Sequence, residues 1–156
     1  MQWRSVLNSQ IKNGPILLAD NDINSIFLTL RALERNHVKN AVIVVRDGVE
    51  ALDYLFEAGK YAGQATLLPE IMLLDRHLPR VSGLELLGLI RGAERTRKLP
   101  VVVLTSPEDD GDRIDATNLG TITYLRKPIN FKNLLESVSR CGLHCLLVSE
   151  SRRGAA

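Results

Sequence analysis

Four polar residues stand at or just beyond the ends of apolar runs. Asp20 follows Ile16-Leu17-Leu18-Ala19, and Asp75 follows Ile71-Met72-Leu73-Leu74. Thr105 follows Val101-Val102-Val103-Leu104, and Lys127-Pro128 comes shortly after Ile122-Thr123-Tyr124-Leu125. Near-continuous apolar runs of this length are the mark of parallel strands covered on both faces. The carboxyl ends of such strands form the crevice where open α/β sheets bind ligands. Two carboxylates, a hydroxyl and an ammonium should therefore meet at one rim of one sheet. Together they can take up and hold a phosphoryl group.

The stretches between the runs have helical period. Ile23, Ile26, Phe27, Leu30 and Leu33 recur at i, i+3, i+4 behind an N-cap at Asp22. A second strand covers residues 41–45, and Val49, Leu52, Leu55 and Phe56 mark a helix that stops before Gly59. Ser82-x-x-Glu85 reads as a capping box opening a third helix through Leu84, Leu87 and Ile90. After the run ending on Thr105, Ser106 caps a fourth helix with Pro107 in its first turn. That helix is acidic from Glu108 to Asp115, contains Gly111, and has only Ile114, Ala116 and Leu119 as apolar anchors, so it should be loosely held. Asn130 caps a fifth helix carrying Leu134, Leu135, Val138 and Cys141. Strand and helix alternate five times, which predicts an α/β protein with a five-stranded parallel sheet, helices on both faces and right-handed crossovers.

The bulk numbers narrow the function classes. A chain of 156 residues suits one domain with a real core. The net charge is +2 with the charges interspersed, which argues against nucleic-acid binding. No apolar stretch approaches the roughly 20 residues of a membrane span, and the first residues lack the apolar core of a signal peptide. A cytoplasmic protein is the expectation. Cys141, His144 and Cys145 crowd one helical turn with no partner cluster, a poor zinc spacing, and the two cysteines read better as small apolar residues on the inner face of the last helix.

The chain resembles the receiver domain of two-component response regulators along nearly its whole length. The blocks that carry the resemblance are Ile16-Leu17-Leu18-Ala19-Asp20, residues 45–55 (VRDGVEALDYL), Leu73-Leu74-Asp75-x-x-Leu78-Pro79, Gly83-Leu84-Glu85, residues 100–106 (PVVVLTS) and Tyr124-Leu125-Arg126-Lys127-Pro128. The Arg46-Asp47-Gly48 turn and the Gly142-Leu143-x-x-Leu146-Leu147 tail are most similar to the small regulators that partner phytochrome-type histidine kinases.

The resemblance implies a flavodoxin-like (βα)5 fold with strand order 2-1-3-4-5. The domain would cover residues 14–141, with short extensions at 1–13 and 142–156. Asp75 would be the phosphoacceptor, taking phosphoryl from a phosphohistidine in a self-modifying switch rather than a turnover enzyme. Mg²⁺ would be held by Asp20, Asn21, Asp75 and the main-chain carbonyl of His77. Lys127 and Thr105 would bond phosphoryl oxygens. Thr105 moving inward would let Tyr124 turn and repack the face made by the fourth helix, fifth strand and fifth helix. The implied partners are a sensor histidine kinase of phytochrome type and an unidentified downstream protein. A second copy of the chain is a further candidate, paired through the fourth-to-fifth-helix face.

Three residues depart from the pattern. Members of the family usually carry two adjacent acids after the first strand, where this chain has Asp20-Asn21. A unit charge at ~4 Å is worth up to about 4 kcal/mol at an effective dielectric near 20, so Mg²⁺ affinity should fall. Arg76 and His77 directly follow the acceptor and are expected to modulate its chemistry. The competing function is a phosphorylation-independent interaction module with a weakened metal site. A nucleotide-binding enzyme is disfavoured, since no Gly-x-Gly-x-x-Gly or Walker loop follows any strand.

Overall fold

The structure is a computed structural model that describes residues 14–106 and 123–140. Five strands form one parallel sheet: β1 (Ile16–Ala19), β2 (Val42–Val45), β3 (Ile71–Asp75), β4 (Val101–Thr105) and β5 (Thr123–Arg126). Their order is β2-β1-β3-β4-β5, as the resemblance implies. Four α-helices accompany them among the described residues: α1 (Ile23–Arg35), α2 (Gly48–Phe56), α3 (Gly83–Gly92) and α4 (Phe131–Arg140). A 3₁₀ turn at Gly59–Tyr61 has no counterpart in the sequence reading. The acidic helix expected after Pro107, the Cys141, His144 and Cys145 group and both end extensions lie outside the described residues.

Period-2 alternation divides the strand side chains between two cores. Leu17, Met72, Leu74, Val101 and Val103 face α2 and α3 through Ala51, Tyr54, Leu55, Leu86, Leu87 and Ile90. Ile16, Leu18, Ile71, Leu73, Val102 and Leu104 face α1 and α4 through Ile26, Leu33, Leu134 and Val138. Each fully buried aliphatic side chain is worth about 1.5–3 kcal/mol, so the three central strands anchor the fold. β2 lies at an edge, and Val42, Ile43 and Val44 are only half-buried there.

The helix starts agree with the capping chemistry. Asp22 accepts from Asn24 N–H, and Asp47 accepts from Glu50 N–H. Ser82 and Glu85 form the reciprocal capping box. The helix faces correct the sequence reading. On α1 the buried residues are Ser25, Ile26, Thr29 and Leu33, while Ile23 is 63% and Phe27 55% exposed. The i, i+3, i+4 stripe was too wide for one contact, and two polar residues took the inner edge. Phe27 instead lies under the Arg31 guanidinium, 5.5 Å from its ring centre. Phe56 on α2 and Leu135 on α4 are likewise exposed, while Ala51 and Tyr54 face inward.

Candidate functional site

The chain crosses from one side of β1 to the other, so the order of strands reverses between β1 and β3. A crevice forms at the carboxyl ends of strands at such a point. The parallel register pairs Ala19 with Leu74, which brings the next residues, Asp20 and Asp75, side by side. Both follow a residue that faces α2 and α3, so both project toward α1 and α4. β4 and β5 pair Thr105 with Arg126, and Lys127 N–H donates to the Thr105 carbonyl at 2.9 Å. Lys127 thereby starts its side chain from a fixed point on the same rim.

The result is a bridged pair of acids. Lys127 Nζ lies 3.0 Å from Asp20 Oδ2 and 3.0 Å from Asp75 Oδ2. Asp20 is fully buried; its Oδ1 accepts from Asp22 N–H at 3.0 Å and its Oδ2 from the Ser25 hydroxyl at 2.5 Å. Asp75 is 8% exposed, and its Oδ1 accepts from His77 N–H at 3.0 Å. Burial opposes the charge on Asp20, but the Ser25 hydroxyl, the Asp22 N–H and Lys127 outweigh it and hold that carboxyl below its usual range. On Asp75 burial prevails over the His77 N–H and Lys127 and pushes the carboxyl above its usual range. Burial would lower Lys127, yet its bonds to Asp20 and Asp75 raise it.

Three loops form the rim. Asn21 and Asp22 are exposed, and Asp22 spends its Oδ1 on the α1 cap. The Arg46 guanidinium donates to the Asn21 carbonyl at 3.0 Å. Next to it, Gly48 N–H donates to the Pro79 carbonyl at 3.1 Å and Arg80 lies 3.4 Å from Asp47. The Arg46-Asp47-Gly48 turn thus ties the loop of Asp20 to the loop of His77. Gly83 presses against the end of β3: a Cβ there would lie 2.7 Å from the Asp75 carbonyl oxygen and 2.8 Å from the Arg76 Cα. Arg76 is half-buried and the His77 side chain is exposed.

Thr105 is 6% exposed at the end of β4. Tyr124 pairs with Val103 and packs, half-buried, on the core of α2 and α3. Thr105 and Tyr124 therefore share a sheet face, two residues apart along the strands.

The structure brings together Asp20, Asp75 and Lys127 by direct contact and Thr105 by the rim. It leaves the Asn21 side chain at the surface. Sequence reasoning missed Ser25, Arg46 and the N–H groups of Asp22 and His77. Main-chain donors leave no residue signature, and a serine inside a helix matches no pattern. Among the described residues no three His, Cys, Asp or Glu side chains converge as a metal site. The donors present are all oxygens, the chemistry that suits Mg²⁺: two carboxylates with the Asn21 amide and the His77 carbonyl nearby in the chain. They fit such a cation with one charge fewer than two adjacent acids would give.

A family profile described as the response regulator receiver domain matches residues 16–139. The response regulator Rcp1 of Synechocystis is 32% identical over 123 residues, covering 79% of this chain and 82% of Rcp1. Its Mn²⁺-bound crystal structure superposes with a TM-score of 0.69 at 28% identity, over 87% of this chain and 99% of that one. The bacteriophytochrome response regulator AtBRR gives 0.79 at 38% identity, over 88% and 98% of the two chains. The phosphorylated cyanobacterial phytochrome response regulator RcpA gives 0.67 at 32% identity, over 83% and 91%.

Proposed function

This chain belongs to the response regulator receiver domain family, and from that membership we propose that it is a phosphorylation-driven switch in a two-component phosphorelay with Asp75 as the acceptor. The observation that carries the reading is the single ammonium of Lys127 held 3.0 Å from both Asp20 and Asp75 at the strand-order reversal. A phosphorylated relative, RcpA, and a Mn²⁺-bound one, Rcp1, support the same chemistry.

The Asp75 carboxylate attacks the phosphorus of a phosphohistidine on a sensor kinase. An O–P bond forms, the P–N bond breaks, and its electron pair returns to the imidazole. The residues that would hold Mg²⁺ are Asp20, Asp75, the Asn21 side chain and the His77 carbonyl. When bound, the cation supplies positive charge to the equatorial phosphoryl oxygens. Lys127 turns from the carboxylates to one phosphoryl oxygen as a point charge, and the Thr105 hydroxyl donates to another. Tyr124 shares the face that Thr105 leaves, so it follows and repacks the surface around β5 and α4 for a downstream protein. Arg76 and His77 flank the acceptor and tune the loss of phosphoryl to water. The likeness to AtBRR and RcpA supports a kinase of phytochrome type.

Intact mass after incubation with acetyl phosphate tests the reading. A Mg²⁺-dependent gain of one phosphoryl, absent in Asp75→Asn, is expected. No gain at any Mg²⁺ concentration would leave the interaction-module alternative, which the exposed, uncharged Asn21 favours, and Asn21→Asp would then show whether that residue is the cause.

A further inference from the structure

Ser25 lies within the first turn of α1, nine-tenths buried, with its hydroxyl 2.5 Å from Asp20 Oδ2. None of the motifs that identify the family includes it. We propose that Ser25 is a positioning residue of the cation and phosphoryl site, holding Asp20 in place for the cation beside Lys127, and alone once Lys127 leaves for the phosphoryl group. This rests on the reading of Asp75 as the phosphoacceptor.

The lone pairs of Asp20 account for the role. Its Oδ1 accepts the Asp22 N–H and its Oδ2 is shared between Ser25 and Lys127. Lys127 in turn divides itself between Asp20 and Asp75. Once Asp75 carries a phosphoryl group, its negative charge draws the ammonium away. Oδ2 of a fully buried carboxylate would then have no donor, a costly state, were it not for Ser25. Ser25 also suits a site that carries Asn21. Its hydroxyl satisfies the oxygen without adding positive charge, whereas a second lysine or arginine there would repel the cation. The bond joins the end of β1 to the body of α1, two rigid elements, and so fixes the direction of the free lone pair on Oδ1. A recess of about 200 Å³ lined by Asp22, Asn24, Ser25, Leu28, Lys127 and Pro128 opens beside this group.

The test titrates the full chain with Mn²⁺, reading free Mn²⁺ by electron paramagnetic resonance, alongside acetyl phosphate labelling by intact mass. Ser25→Ala should bind Mn²⁺ about 10- to 100-fold more weakly, the usual loss for an outer-shell partner. Ser25→Cys, similar in size but a weak donor, should do the same if Ala folds poorly. Ser25→Thr keeps the hydroxyl, has the recess for its methyl, and should recover most of the affinity. Wild-type affinity in the Ala and Cys variants would overturn the proposal. So would equal losses in Thr and Ala, since Ser25 would then be filling space. In either case, labelling of the wild type at Asp75 would leave the acceptor reading intact. A wild type that neither binds Mn²⁺ nor takes up phosphoryl would sink both.

Discussion

Lys127 is the residue whose two loyalties define the site, and its removal separates charge from packing. With Asp20 fully buried and Asp75 nearly so, Lys127→Met leaves two acids close together without their shared cation. Breaking a buried ion pair typically costs about 3–5 kcal/mol, and the partial exposure of the Lys127 side chain argues for the lower end. We expect a loss of about 3 kcal/mol in the presence of EDTA. Added Mg²⁺ should recover more stability in the variant than in the wild type, because it replaces the missing positive charge. Urea unfolding with and without Mg²⁺ measures this; an identical loss under both conditions would show that the aliphatic stem, not the ammonium, matters. At this scale the sequence was legible where a candidate side chain stands at a strand end. Asp20, Asp75, Thr105 and Lys127 all fall at the rim. It was silent on the main-chain N–H groups that bond the two carboxylates, and on Ser25, whose polar side chain faces inward from a helix and breaks the expected pattern.

The elements carry their own steric logic, clearest on α3. A Cβ on Gly83 would meet backbone atoms of Asp75 and Arg76 at 2.7–2.8 Å, and backbone cannot step aside as a flexible side chain can. Gly83→Ala should therefore destabilise by about 1–3 kcal/mol, the usual range for overpacking, and should slow labelling of Asp75 by shifting its strand end. Gly88 on the same helix is exposed, and a Cβ there would meet nothing within 4 Å. Gly88→Ala should stabilise by about 0.5–1 kcal/mol through helix propensity. Urea midpoints of the two variants should move in opposite directions; a rise in both would mean that helix propensity outweighs the contact with β3. Helix positions and the caps at Asp22 and the Ser82–Glu85 box were legible because they are local chemistry, whereas the Asp47 cap was not read. Helix faces were less so. Ile23 and Phe27 extend an apolar stripe beyond what one sheet face covers, and only the sheet decides which edge is left in solvent.

For the whole molecule, the parallel ladder makes the site a property of the fold rather than of any one loop. Asp20 follows β1 and Asp75 ends β3, adjacent strands buried on both faces, and Lys127 follows β5 at the edge. A cation that gathers ligands from the β1 and β3 ends must lose them all when the sheet unfolds. Binding to the folded state alone then stabilises by mass action, about 2.7 kcal/mol at a concentration 100 times Kd. For a domain of this length that corresponds to a rise in Tm of roughly 8 °C. Asp75→Asn removes one of the two carboxylates proposed to hold the cation and should flatten the response, and Asn21→Asp should bring it in at lower Mg²⁺. Thermal unfolding across a Mg²⁺ series measures all three. A wild-type Tm indifferent to Mg²⁺ would mean that the charge missing at position 21 has cost the site its cation, and that Lys127 alone balances Asp20 and Asp75.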